Sequence, residues 1–215
     1  MLNINSHFFI SGILSIILLL IYFNIKNHKS LYNLLKITLI VNFSTFYLSL
    51  FYLDIFDYKI HLPIHLCYLT ELGILISLIL KIKNFYPLLA LNSLGGGITG
   101  FTNSNLMKNA HFIEHTHLYL SHFNLLFFFV IVYKEKLFIS KHNFIKSIIL
   151  NGLLFFIAFI FNYFFNSNYW FTRHRPPGMN LTNLLPEWPY YLLGLIIIGL
   201  GSYYLTFRLL YKNKV

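Results

Sequence analysis

The sequence predicts an all-α, polytopic membrane protein: a single domain over residues 1–215, folded as a compact bundle of seven transmembrane helices. Three observations predict it. Seven apolar stretches, at roughly 7–24, 32–53, 63–80, 85–102, 115–133, 145–165 and 188–208, each approach the ~20 residues a helix needs to cross the hydrocarbon core. Only 10% of residues are charged and 57% are hydrophobic, whereas a soluble domain is about one-quarter charged. The 16 basic residues also alternate in where they fall. The first, third and fifth connections with their flanks, plus the C-terminal end, carry Lys26, Lys29, Lys36, Lys81, Lys83, Lys134, Lys136, Lys141, Lys146, Arg208, Lys212 and Lys214. The other side carries Lys59, Lys108, Arg173 and Arg175. Such a bias marks the cytoplasmic loops, so the N-terminus is expected outside and the C-terminus inside.

The elements follow in order. No Lys or Arg precedes the first stretch, so it lacks the charged region of a cleavable signal peptide and reads as a retained helix. The second runs between the basic first connection and the nearly neutral second. The third opens His61-Leu62-Pro63-Ile64-His65-Leu66-Cys67, where Pro63 suits a first helical turn because its missing N–H is not needed there. The fourth contains Gly95-Gly96-Gly97 and is expected to be a poor helix in its outer half. Its glycines either let helices pack closely or open a non-helical segment inside the protein. The fifth presents His115, Tyr119 and His122 on one stripe. The long sixth connection runs from Asn168-Tyr169-Trp170 through Arg173, Arg175 and Pro176 to Trp188-Pro189. The seventh follows, with Tyr169, Trp170, Trp188, Tyr190 and Tyr191 fit for an interfacial aromatic belt. The strong apolar runs do not alternate as barrel strands would.

The net charge of +10 would suit nucleic acid, but its placement on helix flanks on one side points instead to orientation and anionic headgroups. A single cysteine excludes an internal disulfide and a multi-thiolate metal site. The wealth of Ile, Asn, Lys, Phe and Tyr is partly what an AT-rich genome gives, which lowers the information in any one Asn or Phe. His111, Glu114, His115 and His117 crowd the outer end of the fifth helix without the spacing of a standard metal site. No metal, cofactor or nucleic acid is expected.

Ionisable groups inside a bilayer are costly and mark functional sites by default. By helical rise, Cys67 lies ~6 Å and Glu71 ~12 Å below Pro63, and His122 lies ~10 Å below His115. Their depths overlap. Cys67 is a candidate nucleophile, early in its helix where a thiolate is favoured, and His122 its candidate base. Glu71, four residues on and on the same face as Cys67, is a candidate orienter of His122, or part of a buried pair holding two helices together. His65 points to a different face. Arg173 and Arg175 are fit to grip a phospholipid phosphate as guanidinium forks, with Asn168 and Tyr169 beside them.

The run Leu62-Pro63-Ile64-His65-Leu66-Cys67, Leu120-Ser121-His122, Asn168-Tyr169 through Arg175-Pro176, and Trp188-Pro189-Tyr190-Tyr191 resembles the bacterial YwaF-type integral membrane family, which includes the vertebrate transmembrane protein 164 group. The resemblance implies a seven-helix bundle and lipid acyl chemistry, since the vertebrate relatives look like Cys/His acyltransferases acting on phospholipids. His122 matches the fifth-helix histidine and His65 the histidine after the proline, while the offset of the cysteine varies between bacterial and vertebrate members.

The leading expectation is therefore a membrane-embedded enzyme, in a bacterial plasma membrane, that transfers or hydrolyses an acyl group of a phospholipid or other acyl-lipid partner. Cys67, His122, Glu71 and His65 form its catalytic set, and Arg173, Arg175, Asn168 and Tyr169 bind substrate. A small transporter or channel with a Glu/His path is the first alternative, and a structural subunit the second.

Overall fold

The computed structural model describes residues 4–104, 106, 109–178 and 180–211. Seven α-helices are described: α1 (Ile4–Asn24), α2 (His28–Tyr52), α3 (Leu66–Ile79), α4 (Tyr86–Thr102), α5 (Phe112–Lys134), α6 (Lys141–Phe165) and α7 (Tyr190–Tyr211). Short 3-10 turns occupy Lys83–Phe85, Tyr169–Phe171 and Leu181–Leu184, and no strand occurs among the described residues. Five helices, α1, α2, α5, α6 and α7, are long and apolar enough to cross a membrane. With 14 and 17 residues, α3 and α4 measure only ~21 and ~25 Å against a hydrocarbon core of ~30 Å.

Local chemistry sets these boundaries. The Asn27 side chain accepts the Lys29 N–H at the start of α2, and the Ser140 hydroxyl accepts the Asn143 N–H at the start of α6. Glu114 reaches back to the His111 N–H at 2.6 Å and closes a capping box on α5. Asn166 ends α6 in the left-handed region (φ 53°), which asparagine tolerates well.

The bundle is built around α5. Of its most apolar 18 residues 72% are buried, against 17% in α1, 11% in α6 and 17% in α7. The core contains Leu31, Leu35 and Leu39 of α2, Ile74 of α3, Leu91 of α4, and Leu125, Phe127, Phe128, Ile131 and Val132 of α5. The outer helices instead present Phe9, Phe23, Phe156, Phe164, Ile197 and Leu205 to the surroundings. So extensive an apolar surface suits lipid and would not suit water.

Helix polarity is read from contacts at the two ends. The His7 imidazole meets the Tyr119 hydroxyl at 2.8 Å, and Lys134 Nζ donates to the Tyr22 and Ile25 carbonyls at 2.7 and 2.8 Å; α1 and α5 therefore run parallel. The α1–α2, α3–α4 and α5–α6 connections share that lysine-rich end. The α2–α3, α4–α5 and α6–α7 connections gather at the opposite, histidine-rich end. Lys108, Lys212 and Lys214 lie outside the described residues.

Two local expectations are corrected. Pro63 is not in a first helical turn: residues 53–65 are non-helical, and α3 begins at Leu66 with His65 as N-cap. The residue before a proline avoids the helical region, and side chains satisfy the backbone that an earlier helix would have used. Tyr169 Oη accepts the Leu62 N–H at 2.9 Å and donates to the Tyr58 carbonyl at 2.8 Å, while Tyr47 Oη donates to the His61 carbonyl. Secondly, α4 runs unbroken through Gly95-Gly96-Gly97, because the glycines serve close packing. A Cβ on Gly97 would lie 2.4 Å from Leu126 Cγ.

Candidate functional site

Above the start of α3, at the histidine-rich end, lies a cavity of about 590 Å³, a size ordinary for a small-molecule site. His65, Cys67 and Tyr68 form its wall from α3, Leu118 and His122 from α5, and Trp170, Phe171 and Asn168 cover it from the α6–α7 connection. Three of the four expected catalytic residues thus face one hollow.

Cys67 is the second residue of α3, in the first turn, whose N–H groups have no intrahelical partner. Its sulfur and the His122 ring both rest on α4. A Cβ on Gly96 would lie 3.3 Å from Cys67 Sγ, and one on Gly100 would lie 2.0 Å from His122 Cγ and Cδ2. Only glycine fits at residue 100. Residues 96 and 100 are four apart and share a face, so thiol and imidazole seat about one helical turn apart, ~6 Å along α4.

The hydrogen bonds define both imidazoles. His122 Nδ1 lies 2.6 Å from the Leu118 carbonyl, which only accepts, so Nδ1 carries the proton and the neutral ring keeps its lone pair on Nε2. At His65 the polarity is reversed. Its Nδ1 accepts the Trp170 N–H at 3.2 Å, so in the neutral ring the proton is on Nε2. The His65 ring is held between Tyr169 and Phe171, at centroid distances of 5.0 and 4.9 Å. One histidine offers the cavity an acceptor and the other a donor.

Glu71 is elsewhere. Its carboxylate is fully buried and does not line the cavity. Oε1 accepts from Asn42 Nδ2 at 2.9 Å and Asn124 Nδ2 at 2.8 Å. Asn42 Nδ2 also reaches Ser121 Oγ (3.0 Å), Asn42 Oδ1 accepts from His117 Nδ1 (3.1 Å), and Thr38 donates to Asn124 Oδ1 (2.8 Å). The network ties α2, α3 and α5 together beneath the site. The expected orientation of His122 by Glu71 is not formed, because the Leu118 carbonyl occupies the nitrogen that Glu71 would need. Sequence reasoning missed Asn42 and Asn124, having discounted asparagine on composition; their signal is an amide in the middle of an apolar span.

The α6–α7 connection is organised by a residue the sequence did not flag. Asn162, 1% exposed, uses its whole amide. Nδ2 donates to the Tyr169 carbonyl and Thr172 Oγ1, both at 2.7 Å, and Oδ1 accepts from Ser167 Oγ at 2.7 Å and the Tyr169 N–H at 2.8 Å. This holds Trp170 and Phe171 in the left-handed region, at φ 57° and 55°. Trp170 Nε1 then donates to the Ile64 carbonyl at 2.7 Å, clamping the connection onto the start of α3.

The four expected substrate-binding residues separate. Asn168 lines the cavity, and its Oδ1 accepts the Arg173 and His174 N–H groups. Tyr169 is fully buried and pins the α2–α3 connection. Arg175 donates to the Thr182 and Leu185 carbonyls, both at 2.6 Å, meets Glu187 at 3.2 Å and lies over the Tyr191 ring. Its guanidinium is committed to the fold of the connection. Arg173 is exposed, with Nη1 on Asn166 Oδ1 at 2.5 Å. Neither arginine is part of the cavity wall. At its rim His61 Nε2 stands 3.6 Å from Glu114, and among the described residues no three His, Cys, Asp or Glu side chains are grouped as metal ligands.

No curated protein and no solved structure is significantly similar to the chain. A sequence model of the TMEM164 family matches residues 1–207. With that match over nearly the whole length and five helices fit to cross a bilayer, the protein is a multi-pass membrane protein and belongs to the TMEM164 family.

Proposed function

We propose that this protein is a membrane-embedded enzyme that moves an acyl group from a phospholipid to an acceptor hydroxyl or to water. The observation that carries the proposal is the seating of Cys67 and His122 one turn apart on the Gly96–Gly100 face of α4, within one cavity, with His122 Nε2 left as a base. The charge bias favours the histidine-rich end outside, with the site in the outer half of a seven-helix bundle in which the short α3 and α4 complete their crossings through the adjoining connections. A bacterial plasma membrane fits the resemblance to the YwaF-type family.

In the first half-reaction Cys67 Sγ adds to the acyl carbonyl and its proton passes to His122 Nε2. The tetrahedral intermediate then expels the glycerol alkoxide, which takes that proton and leaves a thioester on Cys67. In the second, His122 draws the proton from the acceptor hydroxyl or from water as its oxygen attacks the thioester, and the proton returns to the departing sulfur. Arg173, exposed though outside the cavity wall, is the arginine that would meet a headgroup phosphate, while Arg175 keeps the covering connection folded. Glu71 supports the site from below as the centre of an interhelical network.

A transport path is disfavoured by what lies deeper. Below the Glu71 network the α2–α3–α5 interface is filled by Leu31, Leu35, Ile74, Leu125, Phe128 and Ile131, all fully buried, while the deeper amides Asn92 and Asn151 are bonded to each other, to Thr70 and to Tyr203. The test is acyl transfer by the purified protein in phospholipid vesicles carrying a fluorescent acyl chain. Cys67→Ala and His122→Ala should each lose at least ~100-fold. Full activity in Cys67→Ala would remove the thiol from the scheme.

A further inference from the structure

Addition of a thiol to an ester carbonyl puts negative charge on the carbonyl oxygen, and that charge requires a donor aimed at it. The Cys/His reading leaves this donor unassigned. We infer that His65, through Nε2–H, is the donor that receives the developing oxyanion; the inference rests on the acyl-transfer reading above. The reason is the direction of one hydrogen bond. The Trp170 N–H points into His65 Nδ1 at 3.2 Å, and a backbone N–H can only donate, so the neutral ring is obliged to carry its proton on Nε2. Both His65 and Cys67 line the cavity, two residues apart at the start of α3.

The ring is also prevented from turning. Tyr169 and Phe171 pack on it at 5.0 and 4.9 Å, and Tyr169 is itself fixed by the Tyr58 carbonyl and the Leu62 N–H. A donor fixed before the reaction stabilises charge without reorganising. The other histidine on the wall is unsuited to this role, since the Leu118 carbonyl holds its proton on Nδ1. In the addition step the S–C bond forms, the C=O π pair moves to oxygen, the thiol proton goes to His122, and the oxyanion accepts the His65 Nε2–H hydrogen bond. On collapse the C=O bond re-forms, and His65 keeps its proton throughout. Tyr68, which lines the same cavity, is the competing donor.

The test compares two reactions of the same thiol. Release of umbelliferone from a medium-chain umbelliferyl ester passes through an oxyanion; alkylation of Cys67 by iodoacetamide does not. Because Cys67 is the only cysteine, mass spectrometry reads the alkylation directly. His65→Phe, which keeps an aromatic ring in the slot, should cut ester turnover on the order of 100-fold and leave the alkylation rate within about threefold of native. His65→Gln, which retains an N–H donor, should recover part of the loss, and Tyr68→Phe should stay near native. Native-like turnover in His65→Phe, or alkylation falling in step with turnover, would overturn the assignment, as would a loss in Tyr68→Phe that His65→Phe does not show. Cys67→Ala separates the two levels: full turnover there sinks the acyl-transfer reading itself, whereas an inactive Cys67→Ala beside a fully active His65→Phe sinks only the role of His65.

Discussion

Gly100→Ala probes the α4 platform directly. The added Cβ would lie 2.0 Å from His122 Cγ and Cδ2 and 2.4 Å from Nδ1, about 1.5 Å inside ordinary carbon–carbon contact. The ring cannot absorb this by rotating, since Nδ1 is bonded to the Leu118 carbonyl at 2.6 Å, so helix or imidazole must move. Overpacking of this kind costs ~1–3 kcal/mol, offset by the ~0.5–1 kcal/mol gained when a helical glycine becomes alanine. The net expectation is a destabilisation of about 1–2 kcal/mol. For chemistry the consequence is larger, since a displacement of about 1 Å in a reacting group can cost on the order of 100-fold. Gly152→Ala on α6 is the control, because its Cβ would meet nothing within 4 Å; it should be at least as stable as the parent and fully active. Gly96→Ala is intermediate, at 3.2 Å from Leu125 Cδ1 and 3.3 Å from Cys67 Sγ, and should cost only a few-fold in turnover. Thermal unfolding followed by intrinsic fluorescence, paired with ester turnover, reads both effects. Gly100→Ala matching Gly152→Ala in stability and activity would refute the seating of His122 on α4.

Two further substitutions separate scaffold from chemistry. Glu71→Gln keeps a carbonyl oxygen for the Asn42 and Asn124 amides and should retain both stability and turnover, whereas Glu71→Leu strands two buried amides and should lower stability by ~2–4 kcal/mol, read as a lower Tm; loss of turnover without loss of stability in Glu71→Gln would restore a direct catalytic role. Asn162→Ala removes four hydrogen bonds from the α6–α7 connection and should destabilise it by about 2 kcal/mol or more, with faster proteolysis between residues 166 and 187 and slower turnover as Trp170 loosens its hold on His65; unchanged proteolysis would deny Asn162 its organising place.

The helices were legible because hydropathy reports directly what lipid demands. The predicted stretches and the observed helices agree to within about four residues throughout, and α3 is informative because it is shorter than its stretch at both ends. Its first apolar residues, Leu62 to Ile64, are not helical, since Pro63 and two tyrosine hydroxyls, those of Tyr47 and Tyr169, give that backbone another solution. The site was legible in part for a related reason. Cys67, His65 and His122 stand out as reactive groups in an apolar field, and depth arithmetic sufficed to bring two helices to a common level. Which polar groups pair with which is not a one-dimensional property. Glu71 was assigned to His122 on depth alone, but at equal depth the choice of partner is made by rotation about the helix axis, and Asn42 and Asn124 occupy that direction. Arg175 was read as a ligand fork for the same lack: its acceptors, the Thr182 and Leu185 carbonyls, belong to a turn with no hydrophobic periodicity to announce it.

The cavity itself is a consequence of helix length. At 14 and 17 residues, α3 and α4 each fall short of the ~30 Å hydrocarbon core, and α3 forfeits its missing turns at the histidine-rich end. Full-length neighbours α2, α5 and α6 continue past that point, so a hollow is left above Leu66 that connecting segments must cover. Non-helical backbone at such a level is tolerated only when buried in protein, and here four backbone groups of the α2–α3 connection find side chains: Tyr169 for Leu62 and Tyr58, Trp170 for Ile64, His61 for the Asp57 N–H. These bonds hold the walls in place without filling the interior. The first turn of α3, with its unpaired N–H groups and Cys67, is thereby brought to the floor of the hollow. Truncating one helix and partly roofing the gap with another connection creates, within an otherwise apolar bundle, one pocket lined by a thiol and by two imidazoles whose hydrogen bonds hold opposite polarity.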